Sequence, residues 1–164
     1  MKIEYNDGQY ILYMNQFYEE KIGFHEKEEM EKYFHKLFRK LRAYYEIELS
    51  GYYDIHVYDN QIYGCIITME KEEYEYYDYF EDKLDMRISV SEKSPFLYKL
   101  EELYNTKVLQ YPMYQYRNQF YITLENPINA LEMGRLLEHS QMIYGEEAET
   151  VLHFGKKVSR EERE

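Results

Sequence analysis

The sequence predicts an α+β fold: an antiparallel, hairpin-built sheet with two or three helices packed on one face of it. Three segments alternate apolar and polar residues about two-residue turn signals. One long stretch between the first two carries apolar residues at helical spacing. The elements also do not follow the regular βαβ order of a doubly wound parallel sheet. At 164 residues the chain has room for one domain with a substantial core. Residues 1–158 are read as that domain and 159–164 (Ser-Arg-Glu-Glu-Arg-Glu) as a solvated tail.

In the first hairpin Asp7-Gly8 is a type I′ signal, and a two-residue turn there pairs Tyr5 with Tyr10 and Ile3 with Leu12. From Glu28 to Tyr45, Met30, Tyr33, Phe34, Leu37, Phe38 and Leu41 fall on one helical face. Acids in the first turn and bases in the last suit the helix dipole. In the second hairpin Tyr52–Tyr58 and Gln61–Met69 flank Asp59-Asn60. That register puts Tyr53, Ile55, Val57, Ile62 and Ile66 on one face and Tyr52, Tyr63, Cys65 and Ile67 on the other. Met86 to Val90 alternates as a strand, and Pro95 to Tyr104 reads as a short helix through Phe96, Leu97, Leu100 and Leu103.

The third hairpin joins Val108–Tyr116 to Gln119–Leu124 through Arg117-Asn118, with Met113, Phe120, Ile122 and Leu124 on one face. Pro112 cannot donate a ladder hydrogen bond, which predicts an edge or a bulge there. Asn126-Pro127 starts a further helix through Leu131 and Leu136 that stops near Gly145. Val151 to Phe154 reads as a strand. Tyr58-Asp59-Asn60-Gln61-Ile62-Tyr63 matches Tyr116-Arg117-Asn118-Gln119-Phe120-Tyr121 at four of six positions. Two helix–hairpin repeats would produce this, and so would the ordinary recurrence of Tyr in strands and Asn in turns.

Composition excludes several functions. The net charge of −12 opposes direct binding of nucleic acid and of anionic membrane surfaces. No apolar run reaches the roughly 20 residues that span a bilayer. The first ten residues carry Glu4 and Asp7 and lack the basic-then-apolar pattern of a secretory signal. Cys65 is the sole cysteine, so no internal disulfide forms. These features place the protein in a reducing cytoplasm, and abundant Lys and Tyr with few Ala point to a bacterial source. The 45% apolar content is that of a folded chain, and 22 Tyr suit a core boundary where the ring is buried and the hydroxyl is wet or bonded.

No catalytic signature emerges, and no metal or cofactor is expected. His25, His35, His56, His139 and His153 include no pair at i, i+4, and no Cys pair or HExxH is present. The serines lie in no G-x-S-x-G context, and Cys65 falls mid-strand, where a thiol is inert packing. Phe154-Gly155-Lys156-Lys157 has no glycine-rich loop before it. An enzyme built on a Tyr/His/carboxylate pocket is an alternative that only three-dimensional geometry can test.

The most unusual stretch is Glu70 to Asp85, where eight acids and two lysines leave a net of −6. Aromatic rings interleave with the acids, and such rings supply interface hot spots while an acidic field steers basic partners. Glu72, Glu73, Tyr74, Glu75, Tyr76, Tyr77, Asp78 and Tyr79 are therefore the candidate partner-binding residues, for a protein with a basic surface. A solvated connector is the plain reading of the same stretch. Carboxylates mimicking phosphates toward a DNA- or RNA-binding protein are a further alternative. Lys32, Lys36, Arg39 and Lys40 form an opposite patch on the first helix, which suits an acidic partner or a homodimer.

Met113-Tyr114-Gln115-Tyr116-Arg117-Asn118-Gln119-Phe120-Tyr121-Ile122-Thr123-Leu124-Glu125 resembles the aromatic hairpin of the MecA-type adaptor C-terminal domain. That family runs helix, aromatic hairpin, helix, then an acidic Tyr-Gly-Glu segment. Here Tyr144-Gly145-Glu146 follows a predicted helix, and Phe154-Gly155-Lys156 comes later. The likeness covers about residues 95–158 and transfers no specific binding residue. MecA-type proteins are non-enzymatic adaptors that link substrates to a AAA+ unfoldase in Gram-positive bacteria. The resemblance thus implies protein–protein binding in place of catalysis. The expectation is a cytoplasmic, non-catalytic, adaptor-like interaction protein.

Overall fold

A computed structural model describes residues 2–14, 26–60, 62–72, 84–101 and 110–158. Among these residues the fold is α+β, with three helices and ten strands in two five-stranded sheets. The chain divides into two compact units, Met1–Val57 with Cys65–Ser91, and Tyr58–Gly64 with Glu92–Glu164. Residues 159–164 lie outside the described residues.

In the first unit the sheet order is β1-β2-β4-β3-β5, for β1 (Lys2–Asn6), β2 (Gln9–Met14), β3 (Gly51–Asn60), β4 (Gly64–Glu72) and β5 (Leu84–Ser91). The first hairpin forms in the predicted register, with Ile3 opposite Leu12 and Tyr5 opposite Tyr10. Asp7 and Gly8 both take positive φ (48° and 83°), as a type I′ turn requires. Helix α1 (Lys27–Tyr45) covers one face of the sheet. Its buried Phe34, Leu37, Phe38 and Leu41 follow the predicted stripe and pack with Leu12, Met14, Tyr53, Ile55 and Val57. Burial of each such side chain is worth about 1.5–3 kcal/mol, so this stripe holds the helix in place.

The second hairpin departs from its expected register. Strand β3 continues through Asn60, whose Oδ1 accepts from the backbone N–H of Ile62 (2.9 Å) and Tyr63 (3.4 Å). That side-chain turn lengthens the connection beyond two residues and shifts the register of the returning strand. Cys65, Ile67 and Met69 consequently join Tyr53, Ile55 and Val57 under α1, while Ile66 points to the opposite face. The middle strand β4 is buried on both faces, with Cys65, Ile67 and Met69 on one and Ile66 and Thr68 on the other. The matching six residues at 116–121 turn differently, through Arg117 and Asn118 at φ 48° and 61°. The predicted strand at Met86–Val90 is β5, whose Met86, Ile88 and Val90 face the α1 core.

In the second unit the sheet order is β10-β7-β8-β6-β9, for β6 (Leu97–Leu100), β7 (Met113–Tyr116), β8 (Gln119–Ile122), β9 (Ser140–Ile143) and β10 (Lys156–Val158). The third hairpin turns at Arg117-Asn118 as predicted, which pairs Met113 with Ile122 and Tyr116 with Gln119. Pro112 stands just before β7, where its carbonyl accepts from Thr123 N–H, and β7 pairs with both β8 and β10 in unbroken register, an inner strand in place of the expected edge or bulge. The helix expected at 95–104 is replaced over Leu97–Leu100 by strand β6. A short apolar run fits a doubly buried strand as well as a helix, and pairing with both β8 and β9 decides for the strand.

Helix α2 (Ala130–Glu138) starts three residues later than Asn126-Pro127 suggests, because the Asn129 side chain accepts from Glu132 N–H at 2.8 Å. It ends at His139 and does not reach Gly145, since Ser140–Ile143 is drawn into the sheet beside β6. Gly145 then opens α3 (Gly145–Phe154), which absorbs the strand expected at 151–154. Ala148 and Val151, three residues apart, supply its buried face. Leu97 packs with α3, whereas the next residue, Tyr98, donates its hydroxyl to Met133 Sδ on α2 at 3.4 Å. Neighbouring strand residues point to opposite faces, so α2 and α3 cover opposite faces of this sheet, where one covered face was predicted.

A candidate protein-interaction surface

Of the predicted docking residues, Glu72 is described and Glu73, Tyr74, Glu75, Tyr76, Tyr77, Asp78 and Tyr79 lie outside the described residues. Glu72 sits at the end of β4, 3.5 Å from Arg87 on β5. The same guanidinium holds Asp54 on β3 at 2.6 Å. Glu72 is therefore part of a cross-strand network in which one guanidinium serves two carboxylates.

A second acidic, tyrosine-rich surface is built in the second unit from segments far apart in sequence. Strand β9 ends at buried Ile143, and extended Tyr144 leads into Gly145 at φ +61°. That left-handed residue redirects the chain so that α3 lies on the sheet through Ala148 and Val151, with Leu97, Tyr121 and Ile143 beneath. Glu146, Glu147 and Glu149 are left exposed. The two in the first turn are favoured by the helix dipole.

Tyr58 comes to this helix from the hairpin tip. Its ring lies 5.2 Å from that of Tyr144, and a Cβ on Gly145 would stand 3.3 Å from the Tyr58 ring. Gly145 thus serves both the turn and the close approach. Burial pushes the Tyr58 phenol above the usual tyrosine range, and Glu146 and Glu149 push it further. Tyr121 is shifted the same way by burial, then by Glu147 and Tyr116. Asp59 is raised mainly by burial, with Glu92 adding to the shift. These causes mark the field here as negative and the phenols as protonated hydrogen-bond donors.

The tip is held by Ser94 N–H donating to Asp59 O (2.9 Å) and Asn60 Nδ2 donating to Ser94 O (2.8 Å). Behind it, Tyr63 is buried against Phe96 and Tyr98, each 5.5 Å away between ring centroids. Its hydroxyl meets Thr123 Oγ1 at 2.9 Å and Leu124 O at 3.2 Å, and accepts from Leu124 N–H. The tyrosines of the surface are thereby mounted on a fixed base.

The histidines are dispersed: His35 on α1, His56 on β3, His139 at the end of α2 and His153 near the end of α3, with His25 outside the described residues. His56 shares a 2.7 Å hydrogen bond with Ser91. Among the described residues, no group of three or more His, Cys, Asp or Glu is placed to hold a metal ion, and no helix is long and apolar enough to cross a membrane. Cys65 is buried within β4.

No protein-family model, curated protein or solved structure matches the chain. The surface around Tyr58, Tyr144 and α3 was not singled out as a site in the sequence. Glu146, Glu147 and Glu149 were visible there as a local run of acids, but nothing local links them to Tyr58.

Proposed function

We propose that this protein is a non-catalytic, adaptor-like interaction domain of the cytoplasm that docks a basic segment of another protein. The reading is carried by the Tyr58–Tyr144 ring pair set beside Glu146 and Glu149. A Lys or Arg side chain laid across these rings gains cation–π attraction, and its charged end reaches a carboxylate. Tyrosine also loses little side-chain entropy on binding, which suits it to anchor a partner. The sequence resemblance of residues 95–158 to the MecA-type adaptor domain supports the same class of function. The acidic stretch from Glu70 to Asp85 would add long-range attraction for a basic partner.

The test is a titration of a fluorescent Lys/Arg-rich peptide followed by anisotropy. Binding should weaken steeply with salt. Glu146→Gln with Glu149→Gln should weaken it about tenfold, and Tyr144→Ala should do the same by removing the ring. Equal binding by wild type and all variants would remove this surface from the account. Neutralising Glu72, Glu73, Glu75 and Asp78 in a parallel variant measures the share of the other acidic stretch.

A further inference from the structure

The exposed side of α1 carries Lys32, Lys36, Arg39 and Lys40. Lys32, Lys36 and Lys40 form one ridge at four-residue steps, about 12 Å long at the helical rise, with Arg39 beside it. Neighbours on this ridge are like charges, an arrangement that weakens a helix. Among the described residues none of the four makes an ion pair, whereas Arg42 in the next turn holds Glu48 at 3.2 Å. Acids are abundant, 32 against 20 bases, yet among the described residues none forms an ion pair with this ridge. Tyr44 extends the same four-residue line and is 78% exposed, and Tyr45 follows it at 42%. An exposed aromatic beside unpaired cations is the composition of a binding hot spot.

We infer that the α1 ridge is a second docking surface, for a short acidic helix of a partner protein, and that the chain bridges an acidic partner and a basic one. Carboxylates four residues apart on a partner helix repeat at about 6 Å, the pitch of the ridge. An apolar residue one turn beyond them meets Tyr44. A nucleic-acid strand fits less well, because Glu28, Glu29 and Glu31 occupy the preceding turns and would face its phosphates. The net charge of −12 also opposes a long polyanion. The α1 site stands on its own observations, and the bridging role also rests on the α3 reading above.

The experiment uses the full chain and two labelled probes. One is a helix-forming peptide with Glu at every fourth position and one terminal Leu, and the other is the Lys/Arg-rich peptide. A peptide of the same composition with scrambled Glu spacing and a single-stranded oligonucleotide serve as controls. The regularly spaced Glu peptide should bind more tightly than both controls. Lys36→Glu with Lys40→Glu should weaken it at least about tenfold, the milder Lys36→Gln with Lys40→Gln should weaken it less, and Tyr44→Ala should also weaken it. The Lys/Arg probe should bind all these variants as it binds wild type, and both probes should bind one chain together. Three results overturn the α1 inference: no binding of the Glu peptide, binding indifferent to the lysine changes, or equal binding of the oligonucleotide. Loss of the Lys/Arg probe alone, with the Glu peptide still bound, overturns the α3 reading and bridging while leaving the α1 surface standing.

Discussion

Replacing Tyr63 by Phe removes one oxygen and leaves the ring. The ring contacts with Phe96 and Tyr98 persist, so the change isolates the hydroxyl. That hydroxyl accepts from Leu124 N–H and meets Leu124 O and Thr123 Oγ1. Tyr63 and Leu124 are both buried, at 3% exposure each, so water does not readily replace the lost partner. A buried backbone N–H left unsatisfied costs about 1–3 kcal/mol, which sets the expected loss near 2 kcal/mol. Urea unfolding measures it: the midpoint should fall with an unchanged slope. Thr123→Val should cost less, about 1 kcal/mol, because Thr123 is half-buried and Tyr63 keeps its main-chain bonds. Tyr63→Ala should cost about 3–5 kcal/mol by removing the ring as well. A loss below about 0.5 kcal/mol for Tyr63→Phe would refute the reasoning that this hydroxyl anchors the hairpin tip.

Burial raises the phenols of Tyr53, Tyr63 and Tyr98 above the ordinary 10.0, so the folded chain holds these protons more tightly than the unfolded chain does. Stability should therefore be intact below pH 10 and fall as pH rises beyond it, with tyrosinate absorbance and loss of folded signal appearing together. Independent ionisation of all tyrosines before unfolding would contradict that linkage. Gly145→Ala puts a side chain at φ +61° and a Cβ 3.3 Å from the Tyr58 ring. It should lower the unfolding free energy by about 1–2 kcal/mol and weaken the Lys/Arg probe, and unchanged values of both would show that this turn does not set the surface.

Local chemistry was readable wherever it acted alone. Asp7-Gly8 and Arg117-Asn118 specified two-residue turns, and those turns set the Tyr5–Tyr10 and Met113–Ile122 pairs. The α1 stripe was readable because one helical face faces one core. Leu97–Leu100 was misread because a short, mostly apolar segment fits either state until its neighbours are known. Asn129 prevailed over Asn126 because it has Glu132 three residues on, a capping pattern that Asn126 lacks.

By itself, the sequence determined the α+β class, two of the three hairpin registers, the α1 face and the acidic balance of the chain. All of these depend on neighbours within a turn or a hairpin, whose geometry is short-range. Tertiary structure alone decided the face of β4, the identity of β6 and the meeting of Tyr58 with Tyr144 and α3. A strand's face changes with any odd-numbered shift of register, and the turn that shifted β4 is held by the Asn60 side chain. The tyrosine surface joins the hairpin tip to the end of β9, and no periodicity in the sequence encodes a contact across that separation.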